Sequence, residues 1–221
     1  MTATRPDPQR IEGTFIRVEP LTPEALPELY DAIGVPAVWS GGWGGGPAGY
    51  VDNVDDFVEW SKSRFRWSDG RPFLVRANGG PLDGVALGTS TLADFNEGLE
   101  HTHIGWTAYD PRVWGSQVNA ETKLLLLGLA FESGYGRVRI QADVLNSRSR
   151  AAIAGIGAQF EGITRRDMPR ADGTWRDSAV FSILVDEWPA VRAGLEARLA
   201  GWAGQPVRYR ERSAGAASPS D

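Results

Sequence analysis

A polar turn between a predicted strand and the helix that follows it has residue types that suit anion binding. In Arg112-Val-Trp-Gly115-Ser-Gln117, Gly115 permits a tight turn, and Pro111 just before it helps to end the preceding strand. The N–H groups at a helix start have no partners inside the helix, and the helix dipole adds positive charge there. We predict a pyrophosphate-sized anion site with Arg112 as a mobile cation. The alternative is an ordinary strand-to-helix turn capped by Asn119.

Two further polar residues follow the next predicted strand. Asn146 and Ser149 stand where residues 138–144 end and a short helix begins. In α/β folds, extended ligands bind in the gap between diverging parallel strands. The succession of strand, glycine turn, helix, strand and polar helix start therefore predicts a cofactor site within residues 104–149.

The composition limits the classes of protein that remain. The chain has 221 residues, of which 42% are hydrophobic, and this suits one domain with a single core. Its net charge of -5 argues against a nucleic-acid partner, and no residue run is apolar and long enough to span a membrane. The absence of cysteine excludes thiolate zinc sites and an acyl-cysteine intermediate. We expect a cytoplasmic protein without a metal site.

Strand and helix patterns alternate along the chain and predict an α/β (α+β) domain with a mixed sheet. Strands are predicted at residues 14–18, 72–76, 84–92, 103–109, 138–144, 159–169 and 175–185. Helices are predicted after Thr22, at 54–66, at 119–133, after Ser149 and at 188–202. An Asp172-Gly173 turn indicates that the last two strands form a hairpin. We predict one domain over residues 1–205 and a disordered tail over 206–221.

The glycine turn resembles the cofactor turn of the GNAT superfamily of N-acetyltransferases. That family has an Arg/Gln-x-x-Gly-x-Gly/Ala turn, and Arg112, Gly115 and Gln117 stand at its three specified places. Gln117 departs from the pattern, because a small residue is usual there. A side chain at this place either narrows the approach to phosphate or points away while its N–H still donates.

The residues after the second strand carry the same resemblance. Asn146 and Ser149 are similar to the Asn-x-x-Ser helix start of the subgroup that contains ribosomal-protein N-terminal alanine acetyltransferases and their small-molecule-modifying relatives. Residues 157–162 resemble that subgroup's Gly-aliphatic-x-x-Glu-Gly strand. The resemblance covers roughly residues 14–199 and is strongest over 104–162.

The resemblance implies a GNAT acyl-CoA N-acyltransferase fold, with a mixed sheet of about six to seven strands flanked by helices. It implies direct transfer of an acetyl group from acetyl-CoA to a primary amine, on a protein N-terminus or a small molecule, in a ternary complex. In that family a backbone N–H near Trp106 polarises the thioester oxygen, Asn146 binds the pantetheine arm and Ser149 lies near the sulfur. The implied cofactor-binding residues are Trp106, Thr107, Ala108, Arg112, Val113, Trp114, Gly115, Ser116, Gln117, Val118, Asn119, Asn146 and Ser149.

Amide formation also needs a base for the amine and a proton source for the leaving thiolate. We predict His103 as the base, because its unperturbed pKa lies near the working pH. A solvent-facing edge-strand histidine is an equal alternative, and Glu100 and Asp94 are other candidate bases. Many GNAT enzymes use a tyrosine as the acid, but none lies in residues 146–160, so Ser149 is the predicted substitute or a plain helix cap.

The acceptor side is less well specified by the sequence. Residues 39–50 are rich in glycine and aromatic residues, and they fit either a mobile lid or a surface loop whose Trp39 and Trp43 are anchored in the core. A non-catalytic acyl-CoA-binding or scaffold protein of the same fold is the alternative function. A homodimer, supported by exposed tryptophans, stays open.

Overall fold

A computed structural model describes residues 2–210 and has an eight-stranded mixed sheet at its centre. Its strands are β1 (Ile11–Glu12), β2 (Ile16–Pro20), β3 (Arg71–Ala77), β4 (Ala86–Asn96), β5 (His101–Tyr109), β6 (Arg137–Asp143), β7 (Gln159–Pro169) and β8 (Trp175–Leu184). Its helices are α1 (Leu26–Ile33), α2 (Pro36–Trp39), α3 (Val54–Arg64), α4 (Gln117–Glu132), α5 (Ser147–Ala154) and α6 (Trp188–Ala200). Within these residues, no helix has the length and apolar character needed to span a membrane.

The sheet order is β1-β2-β3-β4-β5-β6-β8-β7, and β5 and β6 form its parallel pair. Parallel neighbours need a crossover connection, which α4 provides. The two strands pair only from His101↔Arg137 to Ile104↔Ile140. Beyond that point β5 stays with β4 while β6 stays with β8, so a wedge opens between residues 105–109 and 141–143.

A bulge in β5 decides which side chains face which side of the sheet. Trp106 has a φ of 50°, and the register with β4 shifts opposite it. An extra residue on one strand reverses the alternation of side chains that follow it. Ile104 and Thr107 therefore both face α4, whereas His103 faces the opposite side of the sheet.

Two apolar layers cover the sheet. The larger core packs α4, α5 and α6 on one face, and a second core packs α1, α2 and α3 on the other face of β3 to β5. A buried carboxylate fixes α4 against the first strands, because Glu121 accepts the N–H groups of Thr14, Phe15 and Ile16 at 2.7 Å each. The beginning of α4 is thereby held rigidly beside the wedge.

Most predicted elements are confirmed, including the mixed sheet and the hairpin of β7 and β8. The sheet has eight strands rather than six to seven, because the short β1 pairs with β2. The prediction of Asn119 as helix cap is wrong: α4 begins two residues earlier, and the Ser116 hydroxyl accepts the N–H of Val118 at 3.3 Å.

The packed chain continues past the predicted boundary at residue 205. The side chain of Val207 is 0% exposed, and the N–H of Arg210 donates to the carbonyl of Arg112 at 3.0 Å. These contacts order residues 206–210 against the start of α4, where sequence composition alone predicts a tail. The remaining part of that predicted tail, 211–221, lies outside the described residues.

Candidate functional site

A cavity of about 600 Å³ fills the wedge between β5 and β6. Its size is in the usual range for small-molecule sites, and it lies where parallel strands diverge. Ten of the thirteen predicted cofactor residues line it, together with His103. The three that do not line it are Arg112, Gln117 and Val118.

The glycine-rich segment of residues 41–46 forms a roof over the cavity. Three hydrogen bonds join this segment to other parts of the chain. The Asn146 side-chain amide donates to the carbonyl of Gly41, and the Trp43 indole donates to the carbonyl of Trp106 at 3.3 Å. The N–H of Ala171 donates to the carbonyl of Gly45 at 3.0 Å. Trp39, which is fully buried, lies 5.0 Å from Trp43 between ring centroids. The arrangement matches the interpretation of a loop anchored by its tryptophans.

The turn before α4 keeps two of its backbone N–H groups available. Gly115 has a φ of 71°, and neither its N–H nor that of Gln117 has an acceptor within residues 2–210. The Gln117 side chain is 2% exposed and donates to the carbonyl of Gln205 at 3.1 Å, so it points away from the turn. The departure at Gln117 therefore leaves the backbone approach open.

The cation beside this turn is not the one that the sequence indicates. Arg112 pairs with Asp110 at 2.6 Å and its guanidinium lies 3.7 Å from the ring centroid of Tyr209. The expectation of Arg112 as a mobile cation facing the ligand is therefore not met. Arg210 lies beside Gly115 instead, and its Nη2 would be 3.2 Å from a Cβ added at that glycine. Composition gave no signal for Arg210, which falls in the predicted tail.

The start of α5 forms the facing wall. The Asn146 side chain accepts the N–H of Ser149 at 2.9 Å, so Asn146 is the helix cap and Ser149 is left with its hydroxyl in the cavity wall. Arg148 reaches across the mouth, and its guanidinium carbon lies 3.4 Å from the ring centroid of Trp114. Unsatisfied N–H groups and arginines make this mouth suitable for phosphate groups, so the donors present fit the anionic part of a coenzyme A.

His103 lies on the opposite side of the cavity, where its buried ring contacts a partly exposed cluster of charged side chains. Its Nδ1 is 3.2 Å from Asp94 Oδ2, and Arg139 and Arg66 bind the same carboxylate at 2.9 and 3.1 Å. The hydrogen bond from His103, with help from both arginines, lowers the pKa of Asp94 to about 2. An ionised carboxylate only accepts hydrogen bonds, so Nδ1 carries the proton that faces Asp94.

The other ring nitrogen of His103 has no hydrogen-bond partner among the described residues. Burial lowers the pKa of His103 below its usual value, which favours the neutral ring, although the hydrogen bond to Asp94 opposes this effect. Nε2 is buried and has no partner within residues 2–210. With 5% of the residue exposed, the solvent-facing interpretation of His103 is wrong. Asp94 orients the imidazole, and Glu100 does not line the cavity.

Strained backbone lies on both sides of His103. Asp94 and Trp106 have φ angles of 52° and 50°, values that residues other than glycine rarely adopt. Such strain is often found where a side chain must be aimed at a ligand. Within the described residues, no group of three His, Cys, Asp or Glu side chains is arranged to hold a metal ion.

Comparisons with known proteins agree with this geometry. A family model for the acetyltransferase (GNAT) domain matches residues 16–159. A GCN5-related N-acetyltransferase from Brucella melitensis is 26% identical, over 94% of this chain and 95% of its own, with a TM-score of 0.81. A proposed acetyltransferase from T. thermophilus is 29% identical, over 89% of this chain and 100% of its own, with a TM-score of 0.77.

A more distant structure shares the fold. RimJ from Mycobacterium smegmatis, solved in complex with CoA-disulfide, is 18% identical over 83% of this chain and 88% of its own, with a TM-score of 0.65. No protein with a curated function matches the chain in sequence.

Proposed function

Because this chain belongs to the GNAT acetyltransferase family, we propose that it transfers an acetyl group from acetyl-CoA directly to the nitrogen of a primary amine. The amine is either a protein N-terminus or a small molecule. The observation that carries this proposal is that His103, whose buried Nε2 has no partner within residues 2–210, lines a cavity whose mouth presents unpaired backbone donors. The backbone donors suit the phosphates of acetyl-CoA, and the histidine suits removal of a proton from the amine.

Acetyl-CoA is the proposed donor substrate. Its pyrophosphate would accept hydrogen bonds from the N–H groups of the turn at Gly115, with Arg210 and Arg148 nearby to balance the negative charge. Its pantetheine arm would follow the wedge past Asn146. The thioester would then lie beside residues 106–108, where the β5 backbone has left its partner β6.

In the proposed reaction both substrates occupy the cavity together. An alkyl ammonium must first lose a proton, and the neutral His103 accepts it at Nε2 while Asp94 stabilises the resulting imidazolium. The amine nitrogen forms a bond to the thioester carbon, a backbone N–H of residues 106–108 stabilises the oxyanion, and the C–S bond breaks. The CoA thiolate then takes up a proton.

Ser149 is the proposed neighbour of that thiolate. Ser149 lines the cavity and its hydroxyl makes no hydrogen bond within residues 2–210, while its N–H is already bound by Asn146. A serine hydroxyl is a weak acid, so it relays a proton from water rather than supplying its own. A role in thiolate protonation and the capped helix start are therefore compatible.

Release of CoA thiol from acetyl-CoA, measured across a panel of amines and N-terminal peptides, tests the proposal. We expect turnover with at least one acceptor in wild-type protein. Tight CoA binding without turnover for any acceptor would contradict catalysis and favour the non-catalytic acyl-CoA-binding protein.

A second measurement tests the donor site alone. Gly115→Asp places a carboxylate beside Arg210 and against the phosphate position, so we expect CoA affinity in calorimetry to fall about 100-fold, or roughly 2.7 kcal/mol. Gly173→Asp is the matched control, because Gly173 also has a positive φ of 83° but has nothing within 4 Å of an added Cβ. Equal affinities in the two variants would remove the turn from the donor site.

A further inference from the structure

The chain uses lysine at only two positions. Among its 23 Lys and Arg residues, Lys62 and Lys123 are the lysines. Lys62 is exposed on α3 and pairs with Glu59, as surface lysines commonly do. Lys123 is 4% exposed, lies on the face of α4 that packs against the sheet, and lines the wedge cavity. A buried lysine in a chain that otherwise relies on arginine needs a physical explanation.

The amine of Lys123 is bound only by hydroxyl groups. Its Nζ donates to Thr107 Oγ1 at 3.0 Å and to Ser90 Oγ at 3.3 Å, and no carboxylate pairs with it within residues 2–210. An ammonium buried without a counter-charge is costly, so the group tends to lose its proton instead. Burial accordingly lowers the pKa of Lys123 to about 7. Across the sheet, His103 is the nearby titratable group, and its own pKa is lowered in part by the charge of Lys123.

Arginine would not serve at this position. A guanidinium keeps its proton at any physiological pH, whereas a lysine amine becomes a nucleophile once burial has neutralised it. The cationic residue type that can lose its proton therefore lines the cavity, as Lys123, whereas arginine is used at almost every other basic position.

The amine is also close to the stretch of β5 that the proposed reaction uses. Thr107, whose hydroxyl binds Nζ, belongs to residues 106–108, which were proposed above to stabilise the thioester oxyanion. Ser90 and Thr107 are 2.8 Å apart through their own hydroxyls, so each keeps a partner if Nζ moves toward the cavity. The four-carbon stem of a lysine is flexible, so its nitrogen can change partners without a change in the backbone of α4.

We propose that Lys123 is an internal acetyl acceptor, which takes the acetyl group from bound acetyl-CoA when no external amine occupies the cavity. The ε-nitrogen forms a bond to the thioester carbon, the C–S bond breaks, and the proton lost by nitrogen goes to the CoA thiolate. The products are Nε-acetyl-lysine and CoA thiol. This inference rests on the proposed use of acetyl-CoA.

Acetylation at Lys123 would also regulate the site. The amide that forms has one N–H donor where the neutral amine has two, and it can no longer take up a proton, so Thr107 or Ser90 loses its hydrogen bond from Nζ. The added acetyl group occupies space on the cavity wall beside residues 106–108. We therefore expect the acetylated protein to turn over external amines more slowly.

The test is peptide mass spectrometry of full-length protein after incubation with acetyl-CoA and no acceptor. Lys123 lines the cavity proposed for acetyl-CoA, whereas Lys62 is exposed on α3 outside it, so we expect Lys123 to gain one acetyl group at least about 100-fold faster than Lys62. The rate constant should not depend on protein concentration, and excess CoA should suppress it. Lys62→Arg should leave the modification unchanged, and Lys123→Met should abolish it.

Several outcomes would overturn the inference. They are equal labelling of both lysines, a rate proportional to protein concentration, or labelling that persists with excess CoA. Thiol release with external amines, measured in parallel, separates this inference from the function itself. Amine turnover with an unmodified Lys123 would refute internal acetylation and leave the proposed function standing. A modified Lys123 without any amine turnover would support the inference and contradict N-acetylation of external amines.

Discussion

Two buried basic side chains lie on opposite faces of β5, one on each side of the bulge at Trp106, and their surroundings differ. His103 has a carboxylate partner, Asp94, which two arginines also hold. Lys123 has two hydroxyls and no carboxylate within the described residues. Both groups line the same cavity and both have a pKa lowered by burial.

The difference shows how one cavity can keep two kinds of neutral base. Asp94 fixes the tautomer and direction of the His103 ring and will stabilise its charge when it accepts a proton, so His103 is suited to reversible proton transfer. Lys123 gains no such stabilisation when charged, so its neutral form is suited to attack on carbon rather than to proton storage. Substitutions at His103 or Asp94 change one environment, and substitution of Lys123 changes the other.

The largest effect is expected from His103→Gln. Glutamine can still donate to Asp94 but offers no basic nitrogen, so we expect kcat to fall by about 10²–10⁴-fold. The proposed base is the neutral ring, so the wild-type rate should fall as pH drops below 6.5 and through the lowered pKa of His103. That acid limb should vanish in the variant.

Steady-state kinetics from pH 5 to pH 8 would measure both effects, with thermal unfolding as the control for folding. An unchanged kcat in a folded variant would assign the base elsewhere. A retained acid limb would show that another group produces it.

Asp94→Asn should have the next largest effect. Asparagine keeps the shape but removes the charge that supports the imidazolium, so we expect kcat to fall about 10–100-fold. The hydrogen bond and charge of Asp94 raise the pKa of His103, so their loss should shift the acid limb of the pH profile to lower pH. A limb that moves to higher pH would contradict the assigned role of Asp94.

Sequence patterns predicted the turn before α4 and the start of α5 better than the contacts of the buried polar side chains. The turn at Gly115 and the cap at Asn146 are local features, and their residues adopt the predicted turn and helix start whatever the rest of the fold does. The alternation of strands and helices likewise indicated the mixed sheet, and the GNAT resemblance named its family correctly.

The partners of His103 and Lys123 could not be predicted in the same way. Asp94 reaches His103 only because backbone bulges in β4 and β5 change the direction of their side chains, and neither bulge leaves a clear pattern in the sequence. Lys123 lies within an apolar helix, so periodicity alone assigns it no ligand. Arg210 was missed because burial of Val207, a tertiary contact, orders a segment whose composition resembles a tail.

Lys123→Met tests the other environment through stability. At pH 7 the wild-type protein bears the cost of burying or neutralising this amine, so we expect methionine to raise the free energy of unfolding by about 2 kcal/mol or more. Between the folded pKa of about 7 and the unfolded value of 10.5, the unfolded wild-type chain binds more protons. Wild-type stability should therefore rise with pH across that window.

The advantage of Lys123→Met should shrink over the same range, as measured by urea unfolding at pH 7 and pH 9.5. Lys62→Met is the matched control, because its amine is exposed and it should change neither the stability at pH 7 nor its pH dependence. A stability difference that is constant with pH would mean that Lys123 stays charged in the folded protein.

The smallest effect should come from Trp43→Phe, because Trp43 contacts the bulge at Trp106. The Trp43 indole donates to the carbonyl of Trp106 at 3.3 Å, and this hydrogen bond joins the roof segment to the bulge. Phenylalanine keeps aromatic packing against Trp39 and Trp60 but lacks the donor, so we expect a loss of about 1 kcal/mol in unfolding free energy.

Kinetics separate the stability contribution of Trp43 from its effect on the site. Trp67→Phe is the matched control, since it also removes an indole donor, to the carbonyl of Ser61 at 3.0 Å, but Trp67 does not line the cavity. Both variants should lose similar stability, and only Trp43→Phe should lower kcat. We expect a decrease of about 3-fold, which corresponds to a rise in the activation free energy by a fraction of the free energy of one hydrogen bond. Equal kcat values in the two variants would mean that pairing of β4 with β5 is sufficient to keep the shape of the bulge. The placement of His103 and Lys123 on opposite faces of β5 would then not depend on Trp43.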